Sequence, residues 1–316
     1  MKAVQFSRYG DPEVLQVAEV PDPIPTAEQV LIEVKATTVN RLDLFQRNGS
    51  RPVPVLPFTP GLEAAGVVLE DSQGFRAGEH VLTTRAATAQ GGGGYASRLA
   101  APASTLVRIP DGVSFVEAAA AGLAASTAWF GLFDLGHLRE GERVLVWAGT
   151  SGVGSIMIQL AKQVGAWVIA TTGSEARVDS LRQLGADMVI NYKDQNVGQA
   201  TLSVGGANLV MELVGASLQE SIEACANDGR VVLIGNLGGQ KSTVDTQSWR
   251  LKRVSVLGGG LMHTTPENEG QVLKLIANKD IKPLISEVLP IEKAAEAHQK
   301  LSNYEVSGKI VLVHGQ

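Results

Sequence analysis

The run Val144-Leu145-Val146-Trp147-Ala148-Gly149-Thr150-Ser151-Gly152-Val153-Gly154 constrains this chain most, because an apolar strand passes through a glycine turn straight into an amphipathic segment. Ile156, Leu160 and Val164 then recur four apart on one helical face, and Gly165 stands where such a helix would end. The texture repeats, with strands predicted at Val144 to Trp147, Trp167 to Ala170, Met188 to Ile190, Leu209 to Leu213 and Val231 to Ile234. Strands alternating with helix-length intervals predict a parallel sheet covered by helices. Residues 1 to about 120 read differently, as short strands such as Val30 to Val34 and Gly66 to Leu69 separated by punctuation such as Pro21-Asp22-Pro23 and Pro52 to Pro60. Gln90-Gly91-Gly92-Gly93-Gly94-Tyr95 reads as a mobile or tightly turned loop. Glu267 to Lys279 reads as a helix and Lys309 to Val313 as a closing strand, a C-terminal piece that returns to the first lobe. A chain of 316 residues fits two such lobes better than one.

Composition narrows the function classes. With 44% hydrophobic and 19% charged residues the chain suits a compact α/β body and not a disordered one. A net charge of -5 gives no general attraction to nucleic acid or anionic lipid, so small molecules are the expected partners. The single cysteine, Cys225, excludes an intramolecular disulfide framework and a cysteine-clustered metal site. Met1 to Arg8 lacks the apolar core of a signal peptide, and no apolar run is read as bilayer-spanning, so the expected compartment is the cytoplasm.

A glycine turn between a strand and a helix lets the backbone approach a pyrophosphate, and the helix N-terminus offers unpaired N–H groups. Measured against G-x-G-x-x-G, the middle position is Ser151, which stays small and adds a hydroxyl. The hydrolase pattern G-x-S-x-G fails because Val153 stands where its last glycine belongs. The second strand ends Ile169-Ala170-Thr171-Thr172-Gly173-Ser174, with no acid at its tip to accept from an adenosine ribose. Arg177, four residues beyond Gly173, is placed to meet a 2′-phosphate and equally suits a solvated helix-face charge. With the acid missing, NADP(H) is the expected cofactor.

Many segments in order carry a resemblance. They include Thr38-Val39-Asn40-Arg41-Leu42-Asp43, Pro60-Gly61-Leu62-Glu63-Ala64-Ala65-Gly66-Val67-Val68, Gly94-Tyr95-Ala96 and Ala125-Ser126-Thr127-Ala128. Gln159-Leu160-Ala161-Lys162, Leu184-Gly185-Ala186-Asp187, Ile190-Asn191-Tyr192 and Gly308-Lys309-Ile310-Val311-Leu312 follow. On these the whole chain resembles the zinc-free quinone oxidoreductase, or ζ-crystallin-like, branch of the medium-chain dehydrogenase/reductase superfamily. The resemblance implies a GroES-like, β-rich substrate lobe at 1–122 and 264–316, a Rossmann lobe with a doubly wound parallel sheet at 123–263, and an active cleft between them. Catalytic zinc ligands of related alcohol dehydrogenases would fall at Asn40, Leu62 and Leu123, which form no ligand set. His80, His137, His263, His298 and His314 have no ligand spacing and read as surface or structural residues. No metal is expected.

The resemblance further implies NADPH contacts at Asn40, Thr127, Gly149, Thr150, Ser151, Gly152, Val153, Gly154, Gly173, Ser174, Arg177 and Tyr192, and near Gly235-Asn236-Leu237, Gly260-Leu261 and Lys309. From the residues alone Asn40 reads as a turn residue and Tyr192 as an edge-strand aromatic. Asn40, Phe45 and Leu123 are the candidate substrate contacts, Phe45 standing where some relatives have a tyrosine. Without zinc, reduction of a quinone suits the chain better than alcohol oxidation, because its delocalised oxyanion needs only hydrogen-bond donors and water. No obligatory acid-base side chain is expected. The alternatives are a 2-alkenal or enone reductase and an NADPH-binding structural or regulatory protein. A homodimer is implied by resemblance alone.

Overall fold

A computed structural model describes residues 1–86, 92–260 and 263–315. The chain divides into two units, Met1–Leu123 with Thr265–Gln316, and Ala124–Thr264, each seam one residue beyond the expected boundary. The elements begin β1 (Lys2–Gln5), β2 (Gln16–Glu19), β3 (Gln29–Thr38), α1 (Arg41–Asn48), β4 (Ala64–Val68), β5 (His80–Thr83), β6 (Arg98–Pro102), β7 (Leu106–Arg108) and α2 (Phe115–Trp129). Next come β8 (Arg143–Val146), α3 (Gly152–Gln163), β9 (Trp167–Thr172), α4 (Val178–Gln183), β10 (Met188–Asn191), α5 (Val197–Ser203), β11 (Ala207–Glu212) and α6 (Leu218–Ala224). The chain closes with β12 (Cys225–Leu233), α7 (Thr246–Lys252), β13 (Ser255–Gly258), α8 (Pro266–Ala277), β14 (Ile285–Pro290), α9 (Ala294–Ser302) and β15 (Lys309–Val313).

In the first unit β3 is the spine of a sheet ordered β14-β15-β3-β4-β5-β7, with β6 also paired to β3. Its sequence alternates, so Val30, Ile32 and Val34 point into a core with Val68, Val81 and Leu99. The closing strand pairs Val311 to Thr38 and Leu312 to Thr37, antiparallel, which carries the chain's end into this sheet. A second core packs Phe6, Leu44, Phe58, Tyr95, Ala297 and Ile310 together. Three helices absent from the sequence reading, α1, α2 and α9, begin in this unit. α1 starts at Asn40 with a reciprocal capping box to Asp43 and ends at Gly49, whose φ of 83° closes the helix.

α2 was also unexpected, and it corrects the reading of apolar runs. Phe115–Leu135, with a wider turn through Phe130–Leu135, is long and apolar enough by length and composition to cross a membrane. It is instead 61% buried inside the protein, on alanines such as Ala118, Ala119, Ala121 and Ala128 that allow close packing. The helix breaks at Gly122, where φ is 1° and ψ is -108°.

The second unit holds six strands ordered β10-β9-β8-β11-β12-β13, every pair parallel. This is the doubly wound order, with its reversal between β8 and β11. Val144, Leu145 and Val146 are fully buried because helices cover both faces, which is why β8 reads as an unbroken apolar run. Ligands of such sheets bind beyond the carboxyl ends of strands at the reversal.

Candidate functional site

In the second unit, β8 runs out through Trp147 into the glycine turn. Ala148 takes a φ of 50°, and its N–H donates to Thr171 Oγ1 at 3.1 Å. Gly149 N–H donates to the Thr171 carbonyl at 3.0 Å, which ties the turn to β9. Ser151 caps α3, its Oγ accepting from Gly154 N–H at 3.0 Å, so its hydroxyl proton stays available to a ligand. The N–H groups of Gly152 and Val153 cannot be used inside the helix and face any anion placed there. At Gly154 a β-carbon would collide with the Ala148 carbonyl, so the start of α3 lies close against the turn there.

Beyond β9, a β-carbon on Gly173 would collide with the Tyr192 hydroxyl, so this tyrosine lies across the glycine. Tyr192 follows the edge strand β10 and is half exposed, which joins both readings of it. Ser174 opens the short turn Glu175–Arg177, its carbonyl accepting from Arg177 N–H at 3.1 Å. Gly149 to Gly154, Gly173, Ser174, Arg177 and Tyr192 therefore all sit at the carboxyl ends of β8, β9 and β10. No acid ends β9.

Gly235, Asn236 and Leu237 follow β12 beside the loop after β11, where Leu237 N–H donates to the Leu213 carbonyl at 3.4 Å. Gly235 and Asn236 help line a cavity of about 390 Å³ with Gly215 and Leu218. The buried Glu212 holds this loop, accepting from Val214 N–H at 2.7 Å, Gly215 N–H at 2.8 Å and the Ser217 and Ser221 hydroxyls. The sequence reading gave Glu212 no role. Thr127 lies half-buried on α2 and Gly260 follows β13, while Leu261, with Gln90 and Gly91 of the glycine loop, falls outside the described residues. The rest of that loop is tightly turned, Gly94 N–H donating to the Gly61 carbonyl and Tyr95 N–H to the Pro60 carbonyl, both at 2.9 Å.

The first unit gathers a cluster of ionic side chains. Glu63, fully buried, accepts at Oε1 from Thr38 Oγ1, from Asn40 Nδ2 at 3.0 Å and from Lys309 Nζ at 2.9 Å. Its Oε2 accepts from Leu123 N–H at 2.6 Å, in the break of α2 where Gly122 leaves room for the carboxylate. Lys309 Nζ also donates to Asn40 Oδ1 at 2.7 Å. The amide orientation of Asn40 follows, because lysine only donates and a carboxylate only accepts. Asn40, Leu123 and Lys309 are thus brought together by Glu63, a residue that sequence reasoning quoted without a role. Phe45 lies on α1, partly exposed.

Asp43 sits beneath this cluster. Its carboxylate accepts from Asn40 N–H at 2.7 Å and Gly61 N–H at 3.0 Å, so it fixes the segments that carry Asn40 and Glu63. Burial pushes Asp43 up to about 7, against the pull of those two N–H bonds. The same burial drives His298 down to about 3, a neutral ring against the Tyr95 hydroxyl at 3.0 Å.

A zinc ion does not suit the places where related dehydrogenases hold one. Leu62 and Leu123 offer no donor, and the Asn40 amide is committed to Glu63 and to an ammonium 2.7 Å away that would repel a cation. Among the described residues no group of three or more His, Cys, Asp or Glu converges as a metal site.

Two family models match this chain, the alcohol dehydrogenase GroES-like domain over residues 26–111 and the zinc-binding dehydrogenase model over 152–278. The quinone oxidoreductase of Sus scrofa is 32% identical over 99% of this chain and 98% of its own. A crystal structure of an NAD-dependent alcohol dehydrogenase superposes with a TM-score of 0.92 at 32% identity, covering 100% of both chains. The Escherichia coli quinone oxidoreductase complexed with NADPH gives 0.91 at 28% identity, over 99% of this chain and 100% of that one. Full-length likeness at this level, on the same two-unit architecture, makes the chain a member of the quinone oxidoreductase branch of the medium-chain dehydrogenase/reductase superfamily.

Proposed function

We propose that this protein reduces quinones with NADPH by hydride transfer from the nicotinamide, without zinc. The observation that carries the reading is the ammonium of Lys309 bonded to Asn40, a position that the resemblance aligns with a catalytic zinc ligand of related dehydrogenases. A simple alkoxide needs a Lewis acid there, whereas the delocalised oxyanion of a reduced quinone needs only donors such as an amide and an ammonium.

When bound, the nicotinamide supplies the hydride. The N–H groups of Gly152 and Val153 and the Ser151 hydroxyl would hold the pyrophosphate, Arg177 the 2′-phosphate, and Tyr192 with Gly173 the adenosine side. Gly235, Asn236 and Leu237 would border the cofactor from β12, and Asn40 would face the acceptor. The relatives' names and the NADPH complex of one neighbour support this choice of cofactor and acceptor. The name of another neighbour favours an NAD-dependent alcohol dehydrogenase, which the donor set at Asn40, Leu62 and Leu123 argues against.

An acceptor screen followed by NADPH absorbance, spanning quinones, alkenals and alcohols with and without a chelator, tests the reading. Turnover of quinones that survives chelation is expected. Alcohol oxidation tied to one bound zinc per chain would overturn it, and faster turnover of alkenals would move the protein to the enone reductases. The same proposal has the protein acting as a cytoplasmic homodimer, which sedimentation and fractionation check.

A further inference from the structure

We propose that Lys309 is the proton donor that completes reduction of the acceptor, an inference that rests on the quinone reductase reading. Glu63 is fully buried and the Lys309 side chain is 7% exposed. Burying such a pair costs several kcal/mol of solvation per ion, and apolar residues of equal volume commonly serve stability as well or better. A buried pair beside a candidate substrate contact therefore points to chemistry.

An ammonium has three N–H bonds. One goes to Asn40 Oδ1 at 2.7 Å and one to Glu63 Oε1 at 2.9 Å, and among the described residues no hydrogen bond takes the third. That third N–H is left for a ligand oxygen beside Asn40. Glu63 holds the ammonium without competing for its last proton, because its Oε2 is occupied by Leu123 N–H.

Once the quinone has accepted a hydride it carries one oxyanion. The Lys309 Nζ–H bond breaks and an O–H bond forms on that oxygen, giving the hydroquinone and a neutral amine. The amine then takes a proton from water. The sum is quinone, NADPH and one proton giving hydroquinone and NADP⁺.

Lys309→Met and Lys309→Arg separate proton donation from mere positive charge. Arginine keeps the charge but does not release its proton. Both variants are expected to lose about 100-fold in kcat, in the range of a general acid, a loss that exceeds any weakening of NADPH binding by fluorescence titration. Methylammonium should restore turnover to Lys309→Ala in a concentration-dependent way. A readout free of turnover is 4-nitrophenol, whose yellow phenolate mimics the reduced oxyanion. Wild type should bind it as the phenolate, and Lys309→Met should bind it more weakly and colourless. If the single variant unfolds around an orphaned Glu63, the double variant Glu63→Gln with Lys309→Met keeps the test open. An Arg variant as fast as wild type, or a loss confined to NADPH affinity, would overturn the proposal. Wild-type protein that turns over no quinone would sink the functional reading, and the phenolate titration would still decide whether Lys309 donates.

Discussion

The glycine turn of the second unit and the ionic cluster of the first can both receive negative charge, and they are built by opposite means. The turn uses backbone: the exposed start of α3, one serine hydroxyl and no ionised side chain between Gly149 and Gly154. The cluster uses side chains from positions 38, 40, 63 and 309, with an ion pair taken almost wholly out of water. A backbone site is inexpensive to fold and tolerant of its surroundings. A buried ionic one is costly, and each member depends on the others.

That contrast breaks most readily at Glu63. Glu63→Ala should destabilise the protein by about 3–5 kcal/mol in urea unfolding, because Lys309 is left charged and unpaired. Adding Lys309→Met to Glu63→Leu should recover most of the loss, and equal losses in the single and double variants would mean the cluster is not coupled. In the turn, folded Gly152→Val should lose NADPH and NADH alike, while Arg177→Ala should weaken NADPH alone by about 1.5–3 kcal/mol. Equal losses of both cofactors in Arg177→Ala, measured by titration, would make that arginine structural.

Asp43 sharpens the comparison through pH. Its carboxyl titrates near 7 when folded and near its ordinary acidic value when unfolded, so between these values the folded chain holds the extra proton. Its contribution is then present at low pH and is lost as pH rises toward 7, by at most about 1.4 kcal/mol per pH unit. Glu63 disfavours the ionised form and Lys309 favours it, within a shift dominated by burial. Asp43→Asn removes this slope, so its stability relative to wild type should rise between pH 5 and pH 7. A flat difference would show a carboxylate ionised throughout. The smallest effect belongs to the turn, where a left-handed Ala148 costs about 1–2 kcal/mol and a glycine repays part of that in chain entropy. Ala148→Gly should raise the unfolding free energy in urea by less than about 1 kcal/mol, with an unchanged slope.

The same contrast explains what could be read in advance. The turn, the strands around it and Lys309 to Val313 are local patterns, and they appear within a few residues of where the sequence put them. α1 carried a local signal too, Asn40 with Asp43 three residues on and Gly49 at its end, which went unused. α2 was hidden because it is apolar nearly all round and so lacks the one-sided periodicity that marks an amphipathic helix. Glu63 had no such signal, since its bond to Lys309 spans 246 positions and only the sheet brings the two together. Family likeness supplied Asn40 and Lys309 as cofactor contacts, but not the carboxylate that joins them.

The strand that carries Lys309 also sets an order of manufacture. β15 lies between β14 and β3, so the first unit's sheet joins a strand made before the second unit to one made after it. Residues 124–264 are contiguous and can complete their own sheet while the ribosome is still adding the remainder, whereas β3 must wait for its partner. A prematurely terminated chain would then possess the glycine turn and lack the ammonium.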